Sequence, residues 1–266
     1  MPDAIWRVVG ASVQGTSHLE KAVPCQDAHL YRILPGGELL IAVADGAGSA
    51  ERAEAGAQTA VAQAIAALES ALASPPPQDE AGWQQIMAEA FRATREALAQ
   101  LAEAENTPLR AYATTLTCAL VADDWLVVGQ IGDGAAVVED AADELSLAVR
   151  PQRGEYANEA YFLTMPEALD YLAVCAAARP VRGLAVTTDG LLRLALKLPG
   201  YEPHAPFFRP LLTFVAETAA AGQAAEQLAA FLASPRVCAR ADDDKTLVLA
   251  VRVGEDVTGT SQVPVT

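Results

Sequence analysis

Apolar runs that stop on an acid recur along this chain. Leu39-Leu40-Ile41-Ala42-Val43-Ala44 is continuous, ends on Asp45 and passes into Gly46-Ala47-Gly48-Ser49. Gly183-Leu184-Ala185-Val186-Thr187-Thr188 does the same at Asp189-Gly190, and Asp242-Asp243-Asp244 leads directly into Thr246 to Val253. Runs of this length read as buried strands. Ile5 to Val13 predicts an earlier strand that ends in the loop Gln14-Gly15-Thr16-Ser17-His18. The stretch from Gln26 to Leu34, the turn Pro35-Gly36-Gly37 and the run into Asp45 predict a hairpin. With the turn centred near Gly36, Asp27 falls opposite Asp45. Directly opposed carboxylates repel, and a divalent cation is the simplest group to sit between them.

Elsewhere the period changes from two to that of a helix. In Glu51 to Leu72, Val61, Ile65, Leu68 and Leu72 share one face, and Ser74-Pro75-Pro76-Pro77 stops the helix. Trp83, Ile86, Met87, Ala90, Phe91, Leu98 and Leu101 form the apolar stripe of a second helix. Both stripes read as core-facing, so the pair predicts a helical layer on a sheet. Tyr112 to Val121 and Trp125 to Ile131 flank Asp123-Asp124 as a second hairpin. Its far end is Gly132-Asp133-Gly134, followed by a strand over Ala135 to Val138, and counting back from the turn sets Asp133 near Thr114 and Thr115. Arg150 to Ala160 predicts a mobile loop. Tyr161 to Ala178 divides between a short strand followed by a helix and an irregular flap. Leu191 to Leu196, Pro210 to Ala221 and Gln223 to Ala233 predict helices, and Gly254 to Thr266 a frayed, disordered tail. With no internal repeat or linker, residues 1–253 are expected to form a single domain.

Composition narrows the function classes. The 266 residues are 52% hydrophobic and carry a formal net charge of −16, without a basic stripe to neutralise phosphates, which argues against a nucleic-acid partner. Cys25, Cys118, Cys175 and Cys238 form no CxxC pair, so a zinc or redox site is not indicated. There is no basic-then-apolar leader and no uncharged apolar run of about 18 residues, so a soluble cytoplasmic protein with no membrane partner is expected. The phosphate-loop pattern, the His-Glu-x-x-His zinc motif and the Cys-x5-Arg motif of cysteine phosphatases are all absent.

What remains is the acids. Asp45 and Asp189 close their strands and Asp243 precedes its own, so antiparallel neighbours would bring all three to one sheet edge, where Asp27 and Asp133 join them through hairpin geometry. Any single Asp-Gly is an ordinary turn; several that terminate buried strands form a pattern. Hard cations such as Mg²⁺ or Mn²⁺ take carboxylate oxygens plus waters. Two such ions about 4 Å apart can activate a bridging water and clamp a phosphoryl group.

The ordered blocks Pro24-Cys25-Gln26-Asp27, Val43-Ala44-Asp45-Gly46-Ala47-Gly48-Ser49, Ala113-Thr114-Thr115-Leu116, Ile131-Gly132-Asp133-Gly134, Thr187-Thr188-Asp189-Gly190 and Asp243-Asp244-Lys245-Thr246 resemble the metal-dependent protein phosphatases of type 2C. Gly10 to Val13 and Gly154 to Asn158 match the bacterial branch of that family. The resemblance runs from about residue 5 to residue 252 in family order. It implies an α+β fold, a four-layer α/β/β/α sandwich of two antiparallel sheets flanked by helices. It also implies two Mn²⁺ or Mg²⁺ ions with a weaker third, and hydrolysis of phosphoserine and phosphothreonine by direct attack of a metal-bridging water. Asp45 resembles the bridging ligand, with the Gly46 carbonyl on one ion and Asp189 and Asp243 on the other; Asp244 is the alternative if the register slips by one. Asp27 matches an acid acting through metal-bound water, and Asp133 one that holds the third ion with Asp189. The implied partner is a phosphoprotein acted on by a Ser/Thr kinase, and the implied state a monomer.

Two positions depart from the family. Ala47 stands where many members place a histidine that protonates the leaving group, with His18 and His29 as candidate substitutes. The usual phosphate-gripping arginine has no counterpart, and the corresponding loop offers only Lys21 and His18 for substrate binding. Ala47 keeps open a catalytically impaired pseudophosphatase that serves as a binding or regulatory module.

Overall fold

Strands that are apolar on both faces need cover on both sides, and the chain supplies it with a second sheet and a helical layer. The computed structural model describes residues 5–152, 160–218 and 221–254. One antiparallel sheet has the spatial order β1 (Ile5–Val13), β12 (Lys245–Val253), β9 (Gly183–Thr187), β6 (Ala135–Glu139), β7 (Leu145–Val149). The other runs β2 (Asp27–Ile33), β3 (Leu39–Asp45), β4 (Leu116–Ala122), β5 (Trp125–Ile131), β8 (Ala173–Ala178). Successive strand residues point to opposite faces. In β3, Leu39, Ile41 and Val43 meet Val8, Val186 and Val248 of the first sheet, while Leu40, Ala42 and Ala44 meet the helices. Burying a side chain such as Leu40 or Ile41 stabilises the fold by about 1.5–3 kcal/mol.

The outer layers are helical. α2 (Ala53–Leu72) and α3 (Glu80–Ala104) cover the second sheet through Ile65, Leu68, Met87, Phe91 and Leu98. The Asp79 side chain caps α3 by accepting from the Gly82 N–H at 2.9 Å. α5 (Ala205–Glu217), α6 (Ala221–Leu232) and α7 (Pro235–Cys238) cover the first sheet through Phe208, Leu212, Leu228 and Val237. The result is the expected α/β/β/α sandwich. A short helix, α4 (Leu192–Ala195), leads into the two-residue ribbon strands β10 (Leu196–Lys197) and β11 (Glu202–Pro203).

Several expectations change. The predicted loop after β1 opens the short helix α1 (Thr16–Lys21), closed by Ala22 in the left-handed region. Tyr112 belongs to a 3-10 turn, Leu109–Tyr112, and β4 starts only at Leu116. In 161–178 the order is the reverse of strand then helix: a 3-10 turn, Ala168–Tyr171, precedes β8. Alanine-rich Ala173–Ala178 has helix-forming composition, but the free edge of β5 recruits it as a strand. α5 begins at Ala205, five residues before the predicted start, with Pro206 in its first turn and Pro210 inside it. The motif Gly154 to Asn158, most of the loop Arg150 to Ala160, and the tail beyond Gly254 lie outside the described residues. Among the described residues no helix is long and apolar enough to cross a membrane.

Candidate metal centre

The hairpin pairs Asp27 directly with Asp45, so both carboxylates point from the second sheet towards the first. From the first sheet, Asp133 precedes β6, Asp189 follows β9 and Asp243 precedes β12. Antiparallel pairing of β9 with both β6 and β12 puts these three at the same end. Ligand oxygens of Asp45, Asp133 and Asp189 lie within 4.8 Å of one another. A second group, His18, Asp243 and Asp244, meets the same criterion. Asp45, Gly46, Asp133, Asp189, Asp243 and His18 line one cavity of about 540 Å³.

The motif residues between the acids hold the backbone. Asp45 donates its N–H to Thr115 Oγ1 at 3.0 Å, and its carbonyl accepts from Thr114 Oγ1 at 3.0 Å and the Thr115 N–H at 2.8 Å. The Gly46 N–H reaches the Gln26 carbonyl at 3.1 Å. Both Asp-Gly glycines are required by close backbone approach. A Cβ on Gly46 would lie 2.5 Å from the Ala53 carbonyl oxygen, and one on Gly190 would lie 2.0 Å from that of Asp244.

The adjacent acids of the Asp242–Asp244 run have separate fates. Asp244 is buried, its side chain 3% exposed, and its two oxygens accept from the Gly15 and Gln26 N–H groups, each at 2.6 Å. It ties the start of β12 to the segments on either side of α1. Asp243 is 59% exposed and faces the cavity. Lys245, wholly buried, donates to the Asp243 carbonyl at 2.9 Å from behind the cavity wall.

Burial and like charge dominate at Asp27, Asp45 and Asp189. Burial raises Asp27 to about 7, against hydrogen bonds from Thr188 and Thr246 and with further raising by Asp244 and Asp243; the Thr188 hydroxyl donates to it at 2.7 Å. Burial, then Asp133, Asp243 and Asp27, raises Asp189 to about 8. Asp45 lies well above the ordinary carboxylate range through burial and then the charges of Asp27, Asp189, Asp133 and Asp243. Like charges in a low-dielectric wall hold protons until a cation replaces them. The donor set is all hard oxygen, which fits Mg²⁺ or Mn²⁺ and not a thiolate-seeking metal.

The remaining candidates separate by position. His18 lines the cavity, its Nε2 3.7 Å from Asp243 Oδ1 and its Nδ1 2.9 Å from Asp244 Oδ2. His29 is packed between the sheets, with Nδ1 2.8 Å from Ser12 Oγ and its ring against Gly10, and does not line the cavity. Lys21 is exposed at the end of α1 and also lies off the cavity. Ala47 forms part of the wall, with its N–H on the Ala113 carbonyl at 2.9 Å. The wall residue missed in the sequence is Arg193, four residues after Asp189 in the predicted helix Leu191 to Leu196.

Known proteins share sequence and fold with this chain. A family model described as protein phosphatase 2C matches residues 14–233. The chain is 38% identical over 256 residues to serine/threonine-protein phosphatase 3 of Escherichia coli K12, covering 92% of this chain and 98% of that protein. A serine/threonine phosphatase structure from S. agalactiae superposes with a TM-score of 0.61 at 13% identity, covering 92% of this chain and 99% of that one. The catalytic domain of the phosphatase PstP, solved with two manganese ions, gives 0.59 at 20% identity, covering 94% and 99%.

Proposed function

The chain belongs to the protein phosphatase 2C family, and on that premise we propose that it is a divalent-metal-dependent phosphatase acting on phosphoserine and phosphothreonine in proteins. The observation that carries this reading is the convergence of Asp45, Asp133 and Asp189 within 4.8 Å at the wall of a cavity that Asp243 also lines. Asp45, the Gly46 carbonyl, Asp189 and Asp243 would hold two Mn²⁺ or Mg²⁺ ions, with Asp27 acting through water and Asp133 supporting a weaker third. When bound, such ions offset the charge of the phosphoryl oxygens and acidify the attacking water.

The chain's own residues do the rest. The threonines of the Ala113 to Leu116 block fix the Asp45–Gly46 backbone so that carboxylate and carbonyl present together. Thr188 orients the Asp27 carboxylate, and Asp244 holds α1, and with it His18, at the cavity. Ala47 offers no acid for the leaving alkoxide, and of the two imidazoles considered, only His18 borders the space where it would form. We place the enzyme in the cytoplasm as a monomer, opposing a Ser/Thr kinase on shared phosphoprotein substrates. The pseudophosphatase alternative is not favoured, because a cluster that no longer bound metal would only destabilise the fold.

The test is hydrolysis of p-nitrophenyl phosphate and of a phosphothreonine peptide with Mn²⁺, Mg²⁺ or EDTA, against an Asp45→Ala/Asp189→Ala protein. Metal-dependent turnover lost in the variant and in EDTA is expected. Tight Mn²⁺ binding without turnover would identify the pseudophosphatase, and neither binding nor turnover would refute the metal centre.

A further inference from the structure

A cavity walled by carboxylates is hostile to a phosphate dianion unless positive charge faces it. Four aspartates line this one, Asp45, Asp133, Asp189 and Asp243. Of the lysines and arginines among the described residues, Arg193 alone borders the cavity. It sits on α4, four residues after Asp189, and positions four apart on helical backbone share a face. Such a pair ordinarily forms an ion pair. Here it does not: Arg193 is exposed and makes no ion pair or hydrogen bond to any described residue. Lys245, the other cation near the cluster, spends its protons on the Asp243 and Ala241 carbonyls behind the wall. Leu192, Leu198 and Phe162 line the same cavity beside the guanidinium.

We propose that Arg193 is the anion clamp of this cavity, presenting its planar fork of N–H donors to two oxygens of a phosphomonoester. The role rests on the phosphatase reading for its substrate, but phosphate binding tests it separately. A guanidinium suits this better than an ammonium because it can donate two parallel bonds to one phosphoryl group. Its place on α4, directly after the 3-10 turn Asp189–Leu191, couples the clamp to a carboxylate of the metal centre.

The experiment compares the wild type with Arg193→Ala and Arg193→Lys. Three quantities are measured: binding of inorganic phosphate to Mg²⁺-equilibrated protein by calorimetry, kcat and KM on a phosphothreonine peptide, and Mn²⁺ affinity together with Tm. Loss of charged hydrogen bonds predicts that Arg193→Ala weakens phosphate binding and raises KM by about ten- to a hundredfold. Arg193→Lys should recover part of both, with Mn²⁺ affinity and Tm unchanged throughout. Phosphate binding that is absent from the wild type, or equally tight in Arg193→Ala, overturns the clamp. So does a parallel loss of Mn²⁺ affinity or Tm, which would make Arg193 structural. A wild type that binds phosphate through Arg193 yet never turns over peptide supports the clamp while defeating the phosphatase reading.

Discussion

At one end of the sandwich, Asp140 accepts from the Ala142 and Glu144 N–H groups at 2.9 and 3.0 Å and lies below the ordinary carboxylate range because of them. Asp143 of the same β6–β7 turn pairs with Arg182, and the Asp123 carbonyl in the β4–β5 turn accepts from Arg252 at 3.3 Å. At the opposite end, Asp27, Asp45 and Asp189 face one another and all lie above that range. The residue type is the same at both ends. What differs is whether the protein's donors suffice. Acids of the far turns are satisfied by amides and an arginine, whereas at the cleft the donors present, such as the Thr188 hydroxyl on Asp27, are outweighed by burial and like charge. Asp244 is the exception: it sits at the cleft end but is held by two backbone amides, as the turn acids are.

That exception gives the largest expected effect. Asp243→Ala removes a carboxylate from the repelling group and gives up one partly buried bond, from the Asp244 N–H at 2.8 Å, so metal-free stability should change little while Mn²⁺ affinity falls by about a hundredfold or more. Asp244→Ala strands two buried N–H groups and should cost about 3 kcal/mol of stability. Denaturant unfolding in EDTA and calorimetric Mn²⁺ titration separate the two. If Asp243→Ala proved the less stable protein and Asp244→Ala the weaker metal binder, the division of labour drawn here would be reversed.

How far this was legible in the sequence depended on which contacts were local. The turn Pro35-Gly36-Gly37 fixes pairing by counting alone, and the register does set Asp27 on Asp45. The same counting across Asp123-Asp124 pairs Leu116 with Ile131, and Gly132 lies against Thr115. Asp243 was preferred over Asp244 by motif position alone, because neighbours of one type differ only in which side of the chain they face. The deciding amides, of Gly15 and Gln26, come from the far end of the sequence. Edge strands β7 and β8 were missed or misread because a neighbour's free edge, not their own pattern, makes them strands. Arg193 carries no motif. Its one signal was the four-residue spacing from Asp189.

A smaller effect concerns pH. Asp27 and Asp189 are raised from the ordinary value of 3.8 to about 7 and about 8. Across that window the folded protein holds protons that the unfolded chain has released, so metal-free stability falls as pH rises from about 4 to about 8. Mn²⁺ needs the same oxygens deprotonated, so its stabilising effect grows over the same range. Thermal scans should show the EDTA-treated protein melting lower at about pH 8 than at about pH 5, with the Tm gain from Mn²⁺ larger at the higher pH. A metal-free Tm that climbed over this range would mean that protein groups already neutralise the cluster.

The smallest effect lies at the other end and runs with the opposite sign. Asp140 is held below its ordinary range by two backbone donors, so its charged form belongs to the folded state. Its contribution is present above the unfolded carboxylate value and fades as pH falls through the lowered one. Asp140→Asn keeps a side-chain oxygen for the amides but loses the charge. A slight drop in Tm is expected near neutral pH, converging with the wild type in acid, with Mn²⁺ affinity untouched. An asparagine replacing Asp189 should do the reverse, raising metal-free Tm most at alkaline pH while removing Mn²⁺ binding. Relative to the wild type, paired scans of the two variants would therefore diverge in opposite directions as pH rises, because one acid is supported by the fold and the other by what the fold binds. Parallel curves would show that the two ends are not distinguished by their donors after all.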